Sequence, residues 1–153
     1  MVTNLNKLKS ILTRERKKGK RIVFTNGCFD LLHYGHLELL KKAKAKGDIL
    51  IVGLNSDTSV RRLKGPGRPI QREKERAEIL SSLRMVDYVV FFNESTPLRL
   101  IKTIKPDILV KGSDYKNKKV VGREIVKKGR GEVYLFPVKK GYSSTALFKK
   151  ITG

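Results

Sequence analysis

The sequence predicts an α/β fold, a doubly wound parallel sheet of five strands with helices on both faces. Apolar, β-branched runs alternate five times with helical patterns along 153 residues, which argues parallel strands joined by helical crossovers. Residues 48–54, Asp-Ile-Leu-Ile-Val-Gly-Leu, are almost continuously apolar, as a strand covered on both faces must be. Each polar cluster also falls just after a strand, at 26–36, 55–57, 111–115 and 139–145. In open parallel sheets ligands bind beyond the carboxyl ends of the strands, where the strand order switches. The arrangement is Rossmann-like, and the chain suffices for one domain: an amino-terminal helix in 1–19 and a core in 20–153.

The elements follow in order. Residues 3–18 place Leu5, Leu8, Ile11 and Leu12 at helical spacing, and Gly19 stops the pattern. The first strand is 21–25. A helix starting near Gly35 carries Leu37, Leu39, Leu40 and Ala43 and ends by Gly47. After the strand at 48–54, Asn55-Ser56-Asp57 marks a loop and a short helical piece reaches Leu63. Residues 64–69, Lys-Gly-Pro-Gly-Arg-Pro, exclude regular structure, and we expect a mobile basic loop. A helix over 73–83 turns Ala77, Ile79, Leu80 and Leu83 inward, and 85–92 is the third strand. Pro97 at the first helical position opens the next helix, which Lys105-Pro106 closes. Strand four spans 107–110, a short helix lies within 120–128, and strand five spans 132–137. A last helix holds Leu147, Phe148 and Ile151.

Composition narrows the function classes. No apolar run approaches the roughly 20 residues that span a bilayer, and the start of the chain lacks a basic-then-apolar export signal. A single cysteine agrees with a reducing compartment, so a cytoplasmic protein is expected. The formal charge of +21 admits a nucleic-acid footprint. The basic residues are nonetheless spread along the chain, without zinc-finger spacing or an RNA-recognition aromatic signature. A polyanionic small ligand such as a nucleotide uses the same charge more economically.

Both histidines, His33 and His36, fall at the first strand-to-helix junction. Free backbone N–H groups and the positive end of a helix dipole favour phosphate there. Two imidazoles three residues apart can face the same anion. Gly27 permits a close turn and Gly35 lets the backbone approach the ligand. Two other readings are weaker. Zinc on His33, His36 and Cys28 lacks the usual spacing and a fourth ligand. A Cys28 nucleophile with a histidine base lacks an orienting third group.

Thr25-Asn26-Gly27-Cys28-Phe29-Asp30 with His33-Tyr34-Gly35-His36 resembles the first signature of the cytidylyltransferase-like nucleotidyltransferases of the His-x-Gly-His type. Gly141-Tyr142-Ser143-Ser144-Thr145 resembles their second. Within that family the chain is most similar to the heptose 1-phosphate adenylyltransferases of ADP-heptose and lipopolysaccharide precursor synthesis. The residues that carry this are Asn26-Gly27-Cys28-Phe29-Asp30 and Val110-Lys111-Gly112-Ser113-Asp114-Tyr115, with Ser113 the departure. Glycerol-3-phosphate cytidylyltransferase has Gly-Thr-Phe-Asp instead. A sugar-kinase domain precedes this one in many relatives, and the separate, monofunctional form is expected here.

The resemblance implies transfer of AMP from ATP to a D-glycero-D-manno-heptose 1-phosphate, with pyrophosphate released and Mg2+ carried on the triphosphate. Cytidylyl transfer to glycerol 3-phosphate or ethanolamine phosphate is the same-fold alternative, because main-chain groups often select the base. A basic nucleic-acid-binding protein is the alternative of another class. Catalytic roles are implied for His33, His36, Lys64 and Lys111. Nucleotide contacts are implied for Asn26, Gly27, Cys28, Phe29, Asp30, Arg76, Gly112 and Asp114, and for Gly141, Ser143, Ser144 and Thr145. Asn55 and Asp57, with Lys64 and Lys111, are expected at the acceptor. Asp30 orients the loop or the metal rather than acting as a base, since phosphate oxygen is already deprotonated at neutral pH. No metal is assigned to protein ligands, and a homo-oligomer is expected.

Overall fold

A computed structural model of the chain describes residues 1–112, 120–137, 148, 150 and 151. Five strands, β1 (Ile22–Gly27), β2 (Ile49–Asn55), β3 (Tyr88–Phe92), β4 (Ile108–Gly112) and β5 (Glu132–Phe136), form one parallel sheet in the order β3-β2-β1-β4-β5. The helices are α1 (Leu5–Lys17), α2 (Tyr34–Lys44), α3 (Asp57–Lys64), α4 (Glu73–Ser81), α5 (Leu98–Ile104) and α6 (Arg123–Lys128).

Strand periodicity builds two cores. Ile22 and Phe24, Ile49 and Ile51, and Val90 and Phe92 face one side, where Leu8 and Leu12 of α1, Ile101 and Ile104 of α5 and Val126 of α6 cover them. Val23, Leu50, Val52, Val89 and Val110 face the other, against Leu40 and Ala43 of α2 and Ala77 and Leu80 of α4. Successive side chains on a strand point to opposite faces, and every β2 position is buried because both faces are covered.

Acidic side chains fasten the amino edge of the sheet. Asp48, Asp87 and Asp107 each sit one residue before a strand and accept a backbone N–H from within or just before a neighbouring strand. These donors are Arg21 (2.8 Å), Leu50 (2.7 Å) and Ile22 (2.7 Å). The carboxyl edge holds histidines and lysines instead. Its centre is the β1/β4 boundary, where the chain reverses its direction of winding.

Several expectations are corrected. Residues 65–69 are irregular as expected, but Lys64 closes α3, and Arg68 is buried and held by Asp30. Pro97 is the N-cap of α5 rather than its first residue, and α4 stops at Ser81 because Ser82 caps it. The third strand begins at Tyr88, after Met85 and Val86 have crossed in a turn. Gly27 is the last residue of β1, and the left-handed backbone falls on Phe29 (φ 46°) and Leu31 (φ 54°). Its small size matters differently, since a Cβ there would stand 3.1 Å from the Phe29 ring. Residues 1–3 extend the sheet unforeseen: Val2 bridges Val89 in parallel, and Thr3 N–H donates to the Val89 carbonyl at 2.9 Å.

Candidate active site

The site starts at the carboxyl end of β1. His33 caps α2, and its ring stacks on that of His36 with centroids 3.7 Å apart and planes 22° apart. The His33 backbone N–H donates to His36 Nδ1 at 3.4 Å, which keeps the His36 proton on Nε2. Phe29 supports the pair from below, its ring centroid 5.1 Å from that of His36. Burial, then His33 and Lys64, push His36 down to about 3, and burial with Lys64 lowers His33. Both rings are therefore neutral at pH 7, each with one N–H to donate. His33 Nδ1 is buried without a hydrogen-bond partner among the described residues.

Asp30 and Arg76 hold the loop that carries these rings. The Asp30 carboxylate is buried and accepts from Arg68 Nε (2.8 Å) and from the Ile70 (3.0 Å) and Gln71 (3.0 Å) backbone N–H groups. Gln71 Oε1 in turn accepts the Leu31 N–H at 3.2 Å. Arg76, 1% exposed, donates to the Cys28 carbonyl (2.6 Å), the Asn55 carbonyl (2.9 Å), the Gln71 carbonyl (3.0 Å) and Asp57 Oδ1 (2.7 Å). Two residues with left-handed φ lie in this loop, and such backbone costs about 1–3 kcal/mol per residue. The segment from Arg68 to Arg76 supplies the bonds that over-determine it.

Across the strand-order switch, the Lys111 ammonium on β4 donates to Asn26 Oδ1 on β1. Lys111 is 4% exposed, and burial lowers it to about 8. Beside this pair opens a cavity of about 220 Å³. Asn26, Lys111, Asn55, Ser95 and Thr96 give it polar walls; Cys28, Leu63 and Phe92 contribute apolar ones.

The expected site residues therefore separate into groups. Asn26, Gly27, Cys28, Asn55 and Lys111 meet at the cavity, and the charge of Lys64 reaches both histidines and Cys28. Gly112 ends β4 next to Lys111. Asp30 and Arg76, expected to contact nucleotide, have their charged groups turned to protein partners. Asp57 faces Arg76 and does not line the cavity. Phe29 is 4% exposed and packs in the core beneath His36. Asp114, Gly141, Ser143, Ser144 and Thr145 lie outside the described residues. Burial pushes the Cys28 thiol up, so at neutral pH it is protonated and a poor nucleophile. Arg68, Gln71, Ser95 and Thr96 escaped sequence reasoning. An Asp–Arg pair 38 residues apart has no local periodicity to reveal it.

The sequence profile of the cytidylyltransferase-like family matches residues 24–149. The chain belongs to the cytidylyltransferase-like family. It is 55% identical over 150 residues to the bifunctional protein HldE of Geotalea uraniireducens, covering 98% of this chain and 31% of that protein. It is 57% identical over 147 residues to HldE of Helicobacter pylori, covering 96% of this chain and 30% of that one. The chain thus spans about three tenths of the length of these curated relatives. Among solved structures, a lipopolysaccharide core biosynthesis protein from Thermoplasma volcanium superposes with a TM-score of 0.64. It is 31% identical and is matched over 81% of this chain and 99% of its own. The pantoate-beta-alanine ligase of Francisella tularensis shares the fold, with a TM-score of 0.65 at 19% identity over 99% of this chain and 77% of its own. Among the described residues no helix is long and apolar enough to cross a membrane.

Proposed function

We propose that this chain is an adenylyltransferase that moves AMP from ATP to D-glycero-D-manno-heptose 1-phosphate, giving ADP-heptose and pyrophosphate. One observation carries the reading: a buried lysine tied to Asn26 across the strand-order switch, beside two neutral, stacked histidines at a helix N-terminus. The identity to HldE supports the acceptor, together with the Asn-Gly-Cys-Phe-Asp run at 26–30.

In this reading an acceptor phosphate oxygen attacks the α-phosphorus as the bond to the bridging oxygen breaks, and the electron pair leaves with pyrophosphate. Catalysis is positioning plus charge stabilisation. His33 and His36 donate N–H bonds to the triphosphate and the leaving bridge oxygen, with the α2 N-terminus beneath them. Lys111 holds positive charge where the two anions meet, and Asn26 aims it. Lys64, exposed at the end of α3, closes the side nearest the histidines. The 220 Å³ cavity seats the sugar, with Asn55, Ser95 and Thr96 as partners for its hydroxyls. Gly112, Asp114, Gly141, Ser143, Ser144 and Thr145 complete the nucleotide site.

Among the described residues no three of His, Cys, Asp and Glu gather as a metal cage. A basic site of this kind fits a divalent cation that arrives on the triphosphate as part of the substrate, and Mg2+ is the proposed ion. When bound it offsets charge on the phosphate oxygens. We also propose that the chain is one nucleotidyltransferase domain, cytoplasmic and homo-oligomeric; light scattering of the purified chain checks the oligomeric state.

Pyrophosphate release tests the reading. The protein is given ATP or CTP with Mg2+ and either heptose 1-phosphate, glycerol 3-phosphate or ethanolamine phosphate. Release with ATP and the heptose phosphate is expected, and His36→Ala is expected to abolish it. Release only with CTP and a polyol or amino-alcohol phosphate would replace the donor and acceptor. No release, with tight salt-sensitive binding to DNA, would replace the class.

A further inference from the structure

Arg68 touches two parts of the chain that sequence keeps far apart. On one side its Nε and Nη2 lie 2.8 and 2.6 Å from Asp30 Oδ2 in the signature loop. On the other its guanidinium carbon lies 5.4 Å from the centre of the Phe148 ring. Phe148 follows Thr145 of the second motif by three residues. The Arg68 side chain is 7% exposed and Asp30 is fully covered. Both contacts are therefore shielded from water, where an ion pair and a cation–π stack depend most on geometry. A planar guanidinium can serve a carboxylate at its edge and a ring at its face at once, which a lysine cannot.

We infer that Arg68 is a positioning residue that couples Phe148, three residues beyond the second motif, to the histidine loop. The inference rests on the proposed adenylyltransferase reading, in which both motifs serve one triphosphate. Asp30 sets the edge of the guanidinium, and Asp30 also receives the Ile70 and Gln71 amides. The Arg68 plane is thereby set by the histidine loop itself. The Arg68 guanidinium carbon lies 5.4 Å from the centre of the Phe148 ring, so a shift of the loop and a shift of Phe148 are coupled.

Four proteins separate these roles: the full chain, Phe148→Leu, Arg68→Lys, and the double variant. Phe148→Leu removes the ring and leaves the Asp30 pair intact, which protects folding. Affinity for MgATP is measured by calorimetry, and backbone amide resonances of residues 28–36 are recorded without ligand. We expect Phe148→Leu to melt within a few degrees of the parent, to weaken ATP binding about tenfold, and to shift the 28–36 resonances. We expect the double variant to bind ATP within about twofold of Arg68→Lys alone, because both changes break one contact. Phe148→Leu with ATP affinity within twofold and unmoved 28–36 resonances would overturn the inference and leave Arg68 a buttress for Asp30. If the parent fails to bind ATP, the adenylyltransferase reading falls. The 28–36 resonances still decide the coupling.

Discussion

Lys111 on β4 donates to Asn26 on β1, and this bond crosses the line where the sheet changes its direction of winding. The sheet register places these two side chains at adjacent strand ends, so neither needs a loop to reach the other. Burial lowers Lys111 to about 8, close to the pH at which it must stay charged.

That shift sets a pH limit. The free enzyme loses the Lys111 charge as pH rises through about 8, so kcat/KM should fall above that point. Arg stays protonated throughout the range. Lys111→Arg should be slower at pH 7 and lack the alkaline fall, whereas Lys111→Gln should lose about a hundredfold or more in kcat/KM at every pH. Pyrophosphate release between pH 6 and 10, at subsaturating ATP and acceptor, reads all three.

His36 makes stability fall with acid. Its folded value is about 3 against an ordinary 6.5, so the unfolded chain takes up the proton first as pH drops. Stability from this residue is complete above about 6.5 and declines toward 3. At pH 5 the loss is about 2 kcal/mol relative to pH 7 or above. Urea unfolding at pH 7 and pH 5 checks this. His36→Asn should show a smaller drop between the two, and an equal drop would contradict the burial of a neutral ring.

Arg76 carries a structural load. Replacing it with Met leaves Asp57 without its cation and strips hydrogen bonds from the Cys28, Asn55 and Gln71 carbonyls. Removing one partner of a buried pair costs about 3–5 kcal/mol. The measurement is the urea midpoint of Arg76→Met at pH 7. A variant within about 1 kcal/mol of the parent would contradict the four-acceptor role.

Gly122 has φ +87°, and a Cβ there would stand 2.6 Å from Ile101 Cδ1. Gly122→Ala should cost about 1–3 kcal/mol through strain and overpacking between α5 and α6. Thermal melts of the variant check it, with a Tm unchanged within a degree as the contrary result.

The alternation of strand and helix was readable in the sequence because burial on two faces writes continuous apolar runs such as residues 49–54. The histidine junction was readable because both residues belong to one turn. Arg76 misled, since a charged side chain carries no mark of being buried until the carbonyls around it are in place. Residues 64–69 misled in the opposite direction. Glycine and proline report an irregular backbone but not the Asp30 carboxylate that fastens Arg68. The edge pairing of Val2 with Val89 has no periodicity behind it, and only the β3 edge reveals it.

Direct, in-line transfer of AMP to a heptose 1-phosphate is tested most closely by label. ATP labelled at its α-phosphorus is mixed with excess protein, Mg2+ and heptose 1-phosphate for a single turnover. The account predicts label in ADP-heptose and none on the protein at any time. Label held on the protein, or transfer only when CTP replaces ATP, would contradict it.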